Sequence, residues 1–268
     1  MKHQLFLFIL TAFVLQSTLS AQEINQFDKE GRQHGKWVKY HAGTEVIRYT
    51  GQFENGTPTG EFKYYYVTGK LRTIATYEKN GTVCYTVSYF GNGNKHAEGN
   101  YINKLKDGKW IFYDGYNNII AIDYYLKDKR QGVCVTFLQS GEKVEEITYN
   151  NDIPNGRWVR YYKNGKIQFE GNLENDNWHG SFIFYNETGS KLASGKYENN
   201  LRVGDWIFYD EEGKMIKVVT YKNGREVSKK VFQKEKDQDF IDQKEMEKAM
   251  IKIKSGRHDN EPDNPFSR

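Results

Sequence analysis

From residue 35 to about residue 228 the chain is written in short β-branched and aromatic runs broken by Gly and Asn-Gly. The stretch GRWVRYYKNGKIQFEGNL, beginning at Gly156, shows the unit: a run WVRYY, a KNG break and a second run KIQFEGNL. Asn-Gly favours positive φ and suits the tight turns that join antiparallel strands. Further breaks, at Asn55-Gly56, Asn80-Gly81, Asn155-Gly156 and Asn223-Gly224, lie between units. The pattern predicts one β-hairpin per unit and a continuous meander of hairpins. Frequent Gly and β-branched residues disfavour helix here.

The units keep register. With Gly35, Gly60, Cys84, Gly108, Gly132, Gly156, Gly180 and Gly204 as position zero, each step is 24 residues except the first, which is 25. Position two reads Trp37, Phe62, Thr86, Trp110, Cys134, Trp158, Phe182 and Trp206. Position five is aromatic without a break: Tyr40, Tyr65, Tyr89, Tyr113, Phe137, Tyr161, Tyr185 and Tyr209. Position seventeen adds Tyr77, Tyr101, Tyr125, Tyr149, Leu173, Tyr197 and Tyr221, with Phe53 as the match in the longer first unit. A fixed period of this kind marks a repeat array. Eight hairpins predict an all-β, elongated, single-layer antiparallel meander of about sixteen strands, roughly 75 Å long at about 4.8 Å per strand. A single unit cannot bury its own rings, so stability should come from stacking on neighbours. Side chains alternate along a strand, which places the Trp/Phe row on one face and the Tyr row, with Val38, Ile111, Val159, Ile183 and Ile207, on the other. The period does not say which face is covered.

The quoted motif, Gly-x-Trp-x-x-Tyr followed by a Gly turn and a second Tyr, as in GDWIFYDEEGKMIKVVTYKNG from Gly204, resembles the MORN repeat family. The likeness is to the variant common in bacterial exported and antitoxin-like proteins, and it covers about 35 to 228. It implies an elongated sheet of hairpins with a binding or scaffolding role and no chemistry of its own. Membrane or lipid association is also linked to the family. Cys84, Thr86 and Cys134 depart from the motif, so a uniform binding surface is not expected in units three and five.

Composition frames the array. Tyr (20), Phe (16) and Gly (25) are abundant, so rings supply core material that Leu supplies elsewhere. Lys2, the apolar stretch from Leu5 to Leu15 and the segment QSTLSA have the layout of a secretory signal peptide over 1–21, too short to span a bilayer as a helix. Residues 22–34 then form a lead-in. With 39 basic and 35 acidic side chains, nothing demands a nucleic-acid partner. After the array, residues 229–255 lack Pro and are rich in helix formers, which predicts a helix over about 234–254 that either caps the last strand or lies solvated. Residues 256–268 read as a disordered tail.

Candidate chemistry is sparse. Cys84 and Cys134 lie two units apart, about 19 Å on a regular sheet, beyond disulfide reach, and read as buried free thiols. His34 and His179 share a repeat position six units apart, so no metal site is expected. GNGNKH from Gly91 places His96 where a nucleotide loop needs its third Gly. Glu145–Glu146 and Glu211–Glu212 are neighbours on a strand or in turns, not an acid/base pair. These readings give no catalytic residue and no cofactor. The repeat-framework aromatics are Trp37, Tyr40, Trp110, Tyr113, Trp158, Tyr161, Trp206 and Tyr209. Trp178 differs: it lies two residues before Gly180, where other units carry Gln33, Pro58, Lys106, Arg130, Pro154 or Arg202, and is expected to be an exposed turn residue, with local packing against a neighbouring loop as the alternative. With Tyr66, Tyr116 and Tyr162 it is a candidate ligand or partner contact.

The first functional expectation is an exported, non-catalytic scaffold binding another envelope or secreted protein. The second is an envelope glycan-binding module using exposed aromatics, and the third a lipid binder. Position one reads Lys36, Glu61, Tyr85, Lys109, Val133, Arg157, Ser181 and Asp205, which is not the basic column that a lipid surface would favour.

Overall fold

The computed structural model describes residues 23–78 and 80–232. They form one open sheet of twenty strands in which every pairing is antiparallel. Sixteen long strands are the eight expected hairpins. The others are the two-residue pieces Lys129–Arg130 and Asn177–Trp178, the lead-in strand Gln26–Phe27 and a last strand Arg225–Val231. The signal segment 1–21, the helix expected over 234–254 and the tail 256–268 lie outside the described residues. Where the expected helical segment 229–255 overlaps them, it is corrected: Lys229–Val231 is strand, pairing with Lys217–Val219. The alternation that continues the array outweighs helix propensity there.

Two kinds of turn alternate. Within a unit the chain closes through a five-residue loop, as in Tyr162 N→Lys166 O (2.8 Å) with Gly165 N→Tyr162 O (2.9 Å), and Gly165 sits at φ 79°. Between units the turn has two residues with positive φ, as at Asn175 (49°) and Asp176 (65°), the geometry Asn and Gly tolerate best. Position zero has its own cause. Gly at this position takes positive φ beside a register shift, as at Gly156 (φ 117°) near the break between Ile147 and Tyr149. Cys84 cannot adopt that φ cheaply, and the ladder Leu71–Glu78 with Val83–Tyr89 runs without a shift; the two residues that a shift takes up elsewhere fall instead between Glu78 and Val83.

The two faces separate as the alternation predicts. Positions two, four and seventeen make the aromatic face, and the array buries it without a second layer. Rings pack edge to face along the sheet: Tyr101 on Trp110 (4.9 Å, 78°), Trp158 on Phe169 (4.7 Å, 87°), Tyr197 on Trp206 (5.0 Å, 79°). Each such pair adds about 0.5–1.5 kcal/mol beyond its area burial. Two clusters result, one from Phe62 to Tyr125 and one from Cys134 to Trp206.

A close approach sets this packing. The rings of Phe62, Trp110, Phe182 and Trp206 lie over Gly51, Gly99, Gly171 and Gly195, where a Cβ would stand 2.3–2.4 Å from ring carbons. Where the facing residue is Ala75, the incoming group shrinks to Thr86; where it is Asp123, the group is Cys134.

The sheet ends differently at its two edges. At the first, Asn25 N donates to Lys36 O and Asn25 Oδ1 accepts from Val38 N, both at 2.8 Å, while Phe27 packs on Trp37. At the last, Lys229 pairs with Val219 where an interior strand would carry a ring, and all seven residues of Arg225–Val231 are exposed. A cation in that place discourages edge-to-edge pairing.

Candidate functional site

The four candidate contacts are not brought together. Trp178, expected to be exposed, is 9% exposed, stacked on Phe182 (4.8 Å, 12°) and edge-on to Trp158 and Tyr197. This is a correction with a repeat-wide reason. The position two residues before the unit start is a lid on the aromatic face: Lys106 lies over Tyr125 and Trp110, Arg130 over Tyr149, and Arg202 over Trp206 and Tyr221. Each is a flat or long-stemmed group that covers a ring. The signal was present in the residues quoted above, since Arg, Lys and Trp share that ability.

Tyr66 and Tyr162 are half-buried staples. Their hydroxyls donate to the carbonyls of Tyr89 (2.8 Å) and Tyr185 (2.7 Å) in the next unit, and His41 Nε2 meets Tyr65 O at 3.0 Å from the same position. Where this position is Asp114, Asn186 or Asp210, the side chain instead caps its own turn. Tyr116 alone of the four is open, at 79% exposure in the turn after Tyr113.

Of the framework aromatics, Trp110, Trp158 and Trp206 are buried on the aromatic face. Trp37 is partly exposed there, near the first edge. Tyr113, Tyr161 and Tyr209 stand on the opposite face, as does Tyr40, exposed in the first unit. Indole N–H groups of Trp110 and Trp206 reach the carbonyls of Asn100 and Lys196 at 3.1 Å. Trp158 faces Ile147 rather than Gly, and its N–H goes to the buried carboxylate of Glu145 at 2.6 Å.

The opposite face carries a ladder that the sequence reading missed. Glu98 accepts from Tyr113, from Lys95 (2.9 Å) and from Tyr85 (3.1 Å). Glu170 accepts from Arg157 and Tyr185, both at 2.9 Å, and Glu146 pairs with Lys143 at 2.6 Å. Partial burial alone would raise the Glu98 carboxyl, but these donors hold it below the usual carboxylate range. Arg157 does the same for Glu170. Burial, with the Glu170 hydrogen bond, pushes Tyr185 up to about 12. Carboxylates held ionised and phenols held neutral make a stable surface network, and the shifts run away from neutral pH.

That network is interrupted at unit four, where Ile122 replaces the carboxylate and Ile111, Ile122 and Val135 face one another across three strands. Among the described residues no group of three His, Cys, Asp or Glu is placed to hold a metal ion. No helix there is long and apolar enough to cross a membrane, which says nothing about spanning by strands.

The MORN repeat variant family matches three segments, 58–79, 154–175 and 202–223, each beginning at the lid position of its unit. No curated protein matches the chain. Among solved structures, a chain in the crystal structure of TcdB2-TccC3-Cdc42 is 11% identical over 73% of this chain and 14% of that one, at TM-score 0.18. A porin-like protein from Bacteroides uniformis is 9% identical over 72% of this chain and 92% of that one, also at TM-score 0.18. This chain thus spans about a seventh of the first. Likeness this slight carries nothing about fold or function.

Proposed function

We propose that this MORN-variant repeat protein is an exported, non-catalytic scaffold that binds another envelope or secreted protein through the opposite face of its sheet. One observation carries the reading. The aromatic face is consumed by the fold, with rings laid on glycine backbone and lidded by Lys106, Arg130, Trp178 and Arg202, so the broad surface left over is the Tyr/Glu/Lys face. Its carboxylates Glu98, Glu146 and Glu170 are each held by neighbouring donors, which suits recognition rather than proton transfer. The reading also accords with the scaffolding role expected of the family.

The glycan alternative has lost its main residue, because a buried Trp178 cannot stack on a sugar. Tyr116, the most exposed of the tyrosines left open, would have to lead it. The test presents the purified chain to envelope proteins and, in parallel, to insoluble cell-wall polysaccharide. A discrete protein partner whose capture is lost on charge reversal of the opposite face supports the scaffold. Retention by polysaccharide that disappears in Tyr116→Ala, with no protein captured, would replace it with the glycan module.

A further inference from the structure

Eight of the large hydrophobic side chains that the fold leaves exposed fall within one quarter of the described chain, residues 85–133. Leu105, Ile119, Tyr124, Leu126 and Val133 are 38% to 51% exposed. Tyr124 and Leu126 flank the buried Tyr125, and Leu105 precedes the buried Lys106, so all three point away from the aromatic face. Ile119 pairs with Tyr113 on that same opposite face. Beneath them run Ile111, Ile122 and Val135, the stretch where the carboxylate ladder is missing. To either side the face becomes polar again, at Glu98 with Lys95 and at Glu146 with Lys143. Scattered exposed apolar residues are ordinary on a monomer; a contiguous set bounded by polar residues marks a contact surface.

The rim has a sign. Lys109 lies directly across from Tyr124, Lys129 across from Leu126, and Lys104 and Lys127 occupy the adjoining two-residue turns. All four are exposed, and none enters an ion pair among the described residues. The nearby Asp128 is occupied differently, accepting from Lys106 N at 2.6 Å. Glu98 and Glu146 already have their own cations, so they do not offset the rim.

Resting on the scaffold reading, we infer that this patch on units three to five docks an acidic amphipathic segment of the partner protein. Apolar side chains of that segment cover Tyr124, Leu126 and Val133, and its Asp or Glu residues meet Lys104, Lys109, Lys127 and Lys129. Lysines at a rim steer and select a partner more than they add affinity. The partner's carboxylates therefore supply specificity, and the apolar contact supplies most of the binding.

The test uses peptide selection on the purified full chain, with a displayed library of random fifteen-residue peptides. The selected peptides should combine Leu, Ile or aromatic residues with an excess of Asp and Glu. Their binding should weaken at least tenfold in Tyr124→Ser/Val133→Ser, and at least tenfold in the fourfold Lys→Glu variant at 104, 109, 127 and 129. All of these substitutions are at exposed sites, and unchanged circular dichroism checks the fold. Peptides that are basic, or whose binding ignores both variants, overturn the assignment while leaving a scaffold that docks elsewhere. Failure to select any peptide, together with failure to capture an envelope protein, sinks both. Two further arms decide other occupants. Flotation with phosphatidylcholine–phosphatidylserine vesicles that depends on the same residues would assign the patch to a lipid surface. Self-association in sedimentation that is lost in Tyr124→Ser/Val133→Ser would assign it to a second copy of the chain.

Discussion

Trp206 and Trp158 hold the same place in their units and are both buried, yet they are fixed by different means. Trp206 lies over Gly195, and its N–H reaches a backbone carbonyl. Trp158 faces Ile147, has no glycine floor, and gives its N–H to the buried Glu145. The same rule explains both and extends to units three and five, where Ala75 meets Thr86 and Asp123 meets Cys134. The residue that decides what position two can be belongs to the preceding unit. Variation in this repeat is therefore paired across unit boundaries, and a unit that looks degenerate alone is matched to its neighbour.

The strongest way to break the comparison is at Gly195 and Trp206. Trp206→Thr removes a fully buried ring and should cost about 3–5 kcal/mol of unfolding free energy. Gly195→Ala forces a Cβ to within 2.3 Å of the ring and should cost about 3 kcal/mol through overpacking. Combined, the two recreate the Ala75/Thr86 pairing and remove the clash, so the double variant should lose at least about 1 kcal/mol less than the sum. Urea denaturation of the four proteins measures this. Strict additivity would show that the glycine is not the floor of the ring.

Next in size is the lid. Trp178→Ala should cost about 3 kcal/mol, because the ring is enclosed by Trp158, Phe182 and Tyr197. Tyr116→Ala, on an open turn, should change stability by less than about 0.5 kcal/mol. Equal, small effects for both would return Trp178 to the surface role its sequence position first suggested.

How much of this was legible in the letters follows from the range of each interaction. The period, the hairpins, the two-face alternation and the turns at Asn55-Gly56, Asn80-Gly81 and Asn223-Gly224 are local, and they read correctly because φ preference and side-chain alternation act within a few residues; Asn155-Gly156 did not, since it lies inside the strand Ile153–Tyr161 at a register shift while Asn151 and Asp152 make the turn. The lid position did not read correctly. Lys106, Arg130, Trp178 and Arg202 sit at that position among Gln and Pro in other units, and their shared duty shows only against rings four residues on, or nineteen residues on in the neighbouring strand. Tyr66 and Tyr162 were legible as aromatic but not as staples, since their acceptors are carbonyls of the next unit. The carboxylate ladder was hidden for a similar reason. Glu98, Glu146 and Glu170 recur in only some units, and Ile122 stands in the gap that opens the apolar patch.

A smaller effect separates staples from turn caps. Tyr162→Phe deletes one hydroxyl-to-carbonyl hydrogen bond and should cost about 1 kcal/mol in the urea midpoint analysis, as should Tyr66→Phe. Both losses should be independent of salt, because the acceptors are uncharged. A salt-dependent loss would mean that the ring position, rather than the hydroxyl, couples to the charged ladder.

The smallest effect at neutral pH is nil there and grows with alkalinity. Burial pushes the thiols of Cys84 and Cys134 up to about 12, the latter helped by the Asp123 carboxylate, whereas an unfolded cysteine titrates near about 8.5. The unfolded chain thus releases protons that the folded chain keeps. Their contribution to stability is intact below about pH 8.5 and falls as pH rises toward 12. Comparing urea midpoints at pH 8 and 9.5 spans the ordinary cysteine range; tyrosines that burial raises above their ordinary value of about 10 also contribute there, and the double cysteine variant subtracts their share. The native chain should lose stability across that interval, and Cys84→Ala/Cys134→Ala should lose less. Labelling by a thiol reagent at pH 8 should proceed no faster than unfolding, since a thiol that is both buried and protonated is a poor nucleophile. Rapid labelling of the folded chain would mean that units three and five open independently of their neighbours, and that the cross-boundary matching of Ala75 with Thr86 and Asp123 with Cys134 does not hold those units shut.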